Sequence, residues 1–163
     1  MRRVVRPGTI LFLILGLTAC SLRPRDPDAE VREAVRAYFQ ALNEADPTAI
    51  MEMFSRNPEV TSSVEGEIIR GWEAIRIETD KIAGTGGERK WAPGTMEVLS
   101  LGAGHALVVI PVNITLTSGL GREDLAGATT LVLEKKAGHW KILHEHHSLQ
   151  PSGSDGDWDS SRG

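Results

Sequence analysis

The sequence predicts an α+β domain in which three helices pack on one face of a mostly antiparallel sheet. Two observations predict it. Up to about residue 82, most apolar residues recur at helical spacing; after Lys90 they alternate with period two. A third observation orders the strands: short Gly-containing turns separate the later segments, which makes successive strands antiparallel neighbours.

Asp26-Pro27-Asp28 starts the first helix, with a cap, a proline at the first helical position and acid in the first turn. Val31, Val35, Tyr38 and Leu42 then share one face. The helix ends before Ala45-Asp46-Pro47, where Asp46 can cap a second helix with Ile50, Met53 and Phe54 on its apolar side. Asn57-Pro58 is the expected stop. Two short strands, Val60 to Val64 and Ile68 to Arg70, flank Glu65-Gly66. The third helix is expected from Trp72 to Ile82, with Trp72, Ile75, Thr79 and Ile82 on one side. Gly84 to Gly87 breaks it. A Gly-rich loop cradles phosphate when it opens a helix, but this one follows a helix and precedes a strand, so it reads as a turn.

Val108, Ile110, Val112, Ile114 and Leu116 form the apolar side of a long strand. Asn113, Thr115 and Thr117 lie on its other side, either as pocket groups or facing solvent. Gly119 to Arg122 turns the chain, Ala126 to Lys136 returns, and Trp140 to Leu149 closes the sheet. A two-residue turn at Ala137-Gly138 would force positive φ on an alanine, which its Cβ resists. A three-residue loop, Lys136-Ala137-Gly138, asks this only of glycine and is the expected form. It places Lys135 opposite His139, Leu133 opposite Lys141, Leu131 opposite Leu143 and Thr129 opposite Glu145. Leu131, Leu133, Leu143, Thr129, Glu145 and His147 then share one face, and Trp140, Ile142, Val132, His144 and His146 the other.

The first twenty residues read as an export signal. Arg2, Arg3 and Arg6 precede an apolar run from Ile10 to Leu17. Eight helical residues span about 12 Å, far short of the roughly 30 Å hydrocarbon core of a bilayer. Leu17-Thr18-Ala19-Cys20 resembles the lipobox of bacterial lipoproteins, which implies lipidation of Cys20 as the first residue of the mature chain. Cys20 is the only cysteine, so an intramolecular disulfide is excluded and a lipid thioether accounts for the thiol. Two or more acyl chains, at about 0.8 kcal/mol per buried CH₂, anchor a protein durably. The expected location is the cell envelope, with the protein exported and lipid-anchored. Ser21 resembles the outer-membrane sorting pattern, facing the periplasm in a Gram-negative cell. Residues 21–26 read as a tether, 27–150 as one domain, and 151–163, rich in Ser, Gly and Asp, as a disordered acidic tail. The net charge is −4, and it becomes −7 once the three signal arginines are removed. An acidic chain without a basic patch argues against nucleic acid as a partner.

The order of elements, the Gly71-Trp72-Glu73-Ala74-Ile75 start of the third helix and the finish from Thr129 to Ser148 are similar to the nuclear transport factor 2-like superfamily. The SnoaL-like and calcium/calmodulin-dependent kinase II association-domain-like branches resemble it most. The resemblance implies a cone in which a strongly curved sheet wraps three N-terminal helices around a pocket, and a homodimer formed through the sheet. Members include isomerases, cyclases, dehydratases and non-enzymes, so the fold does not assign an activity. The resemblance also implies that Glu145 and His147 face the pocket and that His144 and His146 face the partner copy.

Tyr38, Trp72, Thr129, Glu145 and His147 are therefore the candidate ligand-binding residues, although aromatics at helical spacing such as Tyr38 and Trp72 are more often core than ligand contacts. His147 beside Glu145 could be a structural hydrogen-bonded pair, a ligand contact or an acid–base pair. His144 and His146 could offer two ligands to zinc, but a third is not signalled and His105 and His139 sit at strand ends, so no metal and no cofactor is expected. Nucleophile-elbow, Walker and dinucleotide motifs are absent. The expectation is a lipid-anchored domain that binds a small ligand or a partner protein. A small cofactor-independent isomerase, cyclase or dehydratase is the alternative, and an envelope interaction module the third reading.

Overall fold

A computed structural model describes residues 27–64 and 66–153. The signal segment, Cys20, the tether and the tail beyond Gly153 lie outside the described residues. The elements run α1 (Pro27–Glu44), α2 (Pro47–Met53), β1 (Thr61–Val64), β2 (Glu67–Arg70), α3 (Trp72–Gly84), β3 (Glu88–Pro93), β4 (Glu97–Gly102), β5 (His105–Ser118), β6 (Gly121–Lys136) and β7 (His139–Pro151). They form an α+β domain with one seven-stranded sheet in the order β2-β1-β7-β6-β5-β3, β4 also pairing with β5. All pairings are antiparallel except that of β1 with β7. None of the described helices is long and apolar enough to cross a membrane.

The helical expectations hold with small changes. Val31, Val35 and Tyr38 are buried and Leu42 is half-buried, so α1 lays the expected stripe on the sheet. Asp46 caps α2 by accepting from Thr48 N at 2.9 Å and Ala49 N at 3.0 Å. That helix stops at Met53 rather than at Asn57, because Phe54 turns extended and bridges Ile142. In α3, Ile75 is buried but Ile82 is 41 % exposed. The turn at Gly86 and Gly87, both at positive φ, leads into β3 as expected.

Four features shape the sheet and its inner face. The alternating residues Val108, Ile110, Val112 and Ile114 are buried, which makes one side of β5 its inner face. Pro111, with no N–H to donate, sits where the pairing of β5 passes from β4 (ending at Val109↔Glu97) to β3 (beginning at Val112↔Pro93), so little of the ladder is lost. Its carbonyl accepts from Gly94 N at 2.8 Å. Gly127 in β6 lies so close to β7 that a Cβ there would fall 1.9 Å from the Ser148 carbonyl oxygen, and only glycine fits. Asn43 of α1 covers the outer edge of β3: its amide accepts from Trp91 N at 2.7 Å and donates to Trp91 O at 3.1 Å.

The β6–β7 turn corrects the expected register. The loop has two residues, with Ala137 at φ 49° and Gly138 at φ 83°, and Lys136 faces His139. The twist of the two strands favours this mirror-image turn strongly enough to hold an alanine in the left-handed region. The extra residue appears further along, at Leu143. Leu133 faces Ile142 and Val132 faces His144, so Leu143 bulges out of the ladder. Beyond it Leu131 faces Glu145 and Thr129 faces His147, a two-residue offset from the expected pairs. The bulge resets the alternation, so Trp140 and Ile142, expected on the outer face, are buried with Glu145 and His147. β6 begins at Gly121 rather than Ala126, and β7 continues to Pro151 rather than ending at Leu149.

Candidate functional site

The inner face of β7 changes character at the bulge. Before it, Trp140 and Ile142 join the apolar core with Leu131, Leu133 and Phe54. After it, Glu145 and His147, each 6 % exposed, meet Tyr38 from α1 (1 %), Ser62 from β1 (4 %) and Thr129 from β6 (0 %). The helical spacing of α1 aims Tyr38 at the sheet, and the parallel register Ser62↔Glu145 puts Ser62 beside the carboxylate.

Glu145 collects donors on both oxygens. Ser62 Oγ donates to Oε1 at 2.7 Å, the Tyr38 hydroxyl donates to Oε2, and His147 Nε2 lies 3.3 Å from Oε2. Burial alone would raise the Glu145 pKa. The hydrogen bond and charge of His147, then the hydrogen bonds from Tyr38 and Ser62, outweigh burial and hold the carboxyl below the ordinary glutamate value. Burial, followed by the adjacent Glu145 charge and the hydrogen bond to it, pushes the Tyr38 phenol well above its usual value, so Tyr38 is a neutral donor. An ionised Glu145 only accepts, which assigns a proton to His147 Nε2. His147 Nδ1 is 2.8 Å from Thr129 Oγ1. The neutral ring accepts there from the hydroxyl, and the cationic ring would donate to it. Every polar atom of the Glu145–His147 pair thus has a partner within the protein.

One side of this cluster is aromatic. The Trp91 ring stands 5.0 Å from the His147 ring and 6.0 Å from Phe39, and Trp91 is half-buried. Among the expected residues, Tyr38, Thr129, Glu145 and His147 come together and Trp72 does not. Trp72 begins α3, donates from Nε1 to Met51 O at 3.3 Å, and carries the Arg56 guanidinium 4.1 Å above its ring. It lines a separate surface groove of about 220 Å³ with Met51, Glu52, Arg56 and Arg76. A second depression, of about 330 Å³, lies between the Gly86-Gly87 turn and the β5–β6 hairpin, and neither depression touches the cluster. Asn113 is exposed and Thr115 donates to Asp124 at 2.7 Å on the outer face, while Thr117 lines the larger depression; none of the three reaches the cluster.

Sequence reasoning missed Ser62 and Trp91. Ser62 could be found from the parity of its strand, since Val60 is wholly buried and Ser62 follows it by two. Trp91 carries the same kind of signal: Arg89, Trp91 and Pro93 alternate with exposed neighbours.

The family profile of the SnoaL-like domain matches residues 31–152, and the chain belongs to this family. Several solved structures share the fold. A nuclear transport factor 2-like superfamily protein from Salmonella enterica is 20% identical, with a TM-score of 0.68 over 80% of this chain and 96% of that one. An uncharacterized protein with a cystatin-like fold from Caulobacter vibrioides is 22% identical, with a TM-score of 0.66 over 82% and 95%. An NTF-2 like protein of unknown function from Shewanella oneidensis is 22% identical, with a TM-score of 0.59 over 74% and 98%. At these identities the likeness shows the fold alone. No curated protein matches the chain.

Proposed function

We propose that this SnoaL-like domain is an exported binding module, anchored to lipid through Cys20, that takes a small polar ligand at the Tyr38–Glu145–His147 cluster and performs no chemistry of its own. The observation that carries the reading is an ionised carboxylate on the inner face, surrounded by hydroxyl and imidazole partners. A buried carboxylate with its partners stabilises a fold no better than well-packed apolar residues of the same volume, so a purely architectural core has no need of one. A ligand that enters beside Trp91 would exchange its own polar groups for the internal hydrogen bonds. Thr129 and Ser62 complete the recognition surface. The outer sheet face, with Leu99 and Val109 exposed, suits pairing with a second copy.

Acid–base catalysis is the second reading, favoured by the 3.3 Å contact between His147 Nε2 and Glu145 Oε2. It ranks second because binding needs only an exchange of hydrogen bonds, whereas catalysis needs in addition a reacting atom aligned on a ring nitrogen freed from its protein partner.

A thermal-shift series on the purified chain, with small polar aromatics and carboxylates, tests the binding reading. A ligand at 100 times its Kd adds about 2.7 kcal/mol of stability. The shift is expected in the native chain and should vanish in Thr129→Val. A shift that survives this substitution would place the ligand elsewhere, and turnover of the bound compound would favour the second reading. Mass spectrometry of the exported chain checks the anchor, with acyl mass expected on Cys20.

A further inference from the structure

The outer face of β7 carries the two histidines that the cluster does not use. His144 and His146 both follow the Leu143 bulge and are two residues apart, so they point the same way. Their Cα atoms are about 6.6 Å apart, given a rise of about 3.3 Å per residue. Across the sheet, Leu107, Val132, His144 and Thr61 form one row of this face, and Val109, Thr130, His146 and Ser63 the next. These neighbours are neutral, and the two imidazoles are the strong metal donors among them. Beyond Thr61 the first row continues to Arg70, a cation two strands from His144, about 10 Å at normal strand spacing. Glu97 extends the second row but stands three strands from His146, about 14 Å at normal strand spacing.

His144 is also oriented. Its Nδ1 lies 2.7 Å from Thr61 Oγ1 on the adjoining strand. With Nδ1–H donating to that hydroxyl, Nε2 presents its lone pair away from β1, and metal binding selects this tautomer. Metal-binding histidines are held in this manner, by a hydrogen bond from the ring nitrogen that does not touch the ion. His146 is exposed and can turn toward its neighbour.

We propose that His144 and His146 bind a divalent zinc-class ion on the outer sheet face, and that the same pair from a second copy completes its coordination shell. Among the described residues no group of three or more His, Cys, Asp or Glu side chains converges, so one copy cannot supply the four ligands zinc prefers. A two-fold axis beside β7 brings two identical pairs together and supplies all four. The inference rests on the proposed pairing of copies through this face.

The test is a zinc titration of the purified metal-free chain, followed by calorimetry and by light-scattering mass. The expected result is one zinc per two chains and a dimer at least tenfold tighter with zinc than without. His146→Ala should abolish uptake and leave the zinc-free fold unchanged. Thr61→Val, which removes the Nδ1 partner, should weaken zinc binding about 10–100-fold, the range seen when such outer partners are lost. A dimer that takes up no zinc overturns this inference and leaves the pairing intact. A chain that is monomeric with and without zinc overturns both. One zinc per chain, or uptake unchanged in His146→Ala, overturns the shared site.

Discussion

His144 and His147 lie three residues apart on one strand and are tethered alike, each with Nδ1 against a threonine hydroxyl of the neighbouring strand. They differ in what the other nitrogen meets. His147 Nε2 faces the buried Glu145 carboxylate, while His144 belongs to the open outer face. The comparison teaches that side-chain identity and local tether do not fix the role of an imidazole; strand parity does. Parity on β7 is set by a single bulged residue.

The strongest way to break the comparison is to force β7 away from β6. In Gly127→Val a Cβ would fall 1.9 Å from the Ser148 carbonyl oxygen, so the end of β7 that carries His147 must shift, at an expected cost of about 3 kcal/mol or more in urea unfolding. Deleting Leu143, by contrast, leaves Ile142 and Glu145 two residues apart, so it should remove the bulge and keep both inner sets facing inward. Tyr38→Phe is milder. It removes one donor from a charged acceptor and should cost about 1.5–3 kcal/mol in urea unfolding.

A pH series sharpens the contrast between buried and exposed groups. Glu145 has a folded pKa below its unfolded value. Its contribution is present above the unfolded value and is lost as pH falls through the folded one. The urea midpoint of the native chain should therefore fall in the acid range below pH 4.5, and part of that slope should disappear in Glu145→Gln. The smallest effect belongs to the outer face. His146→Ala should change metal-free stability by no more than about 0.5 kcal/mol, as is usual for exposed positions.

Much of the architecture could be read from the chain. The stripe of Val31, Val35 and Tyr38, the Asp46 cap and the alternation from Val108 to Ile114 each report a local periodicity, and each element forms where that periodicity lies. The inward placement of Glu145 and His147 was legible through resemblance and through parity, although the assumed partners were two residues out of step. The bulge at Leu143 was not legible, because the sequence shows that an extra residue is needed but not where the strand releases it. The expected loop at Lys136-Ala137-Gly138 took its extra residue from β6, whereas the bulge takes one from β7, and this puts the pairs beyond it two residues out of step. Trp72 was misplaced for a related reason. Its helical face is apolar, but which neighbour covers the start of α3 is decided by Met51 and Arg56 from a different helix and loop. Parity pointed Ser62 and Trp91 inward, but their places beside Glu145 and His147 followed only from the pairing of β1 with β7 and of β3 with β5.

The most direct test of the central claim, that Glu145 and His147 form one buried and mutually dependent pair, is a double-mutant cycle measured by urea unfolding at pH 7. Each single change, Glu145→Ala or His147→Ala, should cost about 3–5 kcal/mol, the range for breaking a buried pair. The two costs together should fall short of additivity by at least about 1.5 kcal/mol. Additive costs within about 0.5 kcal/mol, or single costs no larger than that of His146→Ala, would contradict the account.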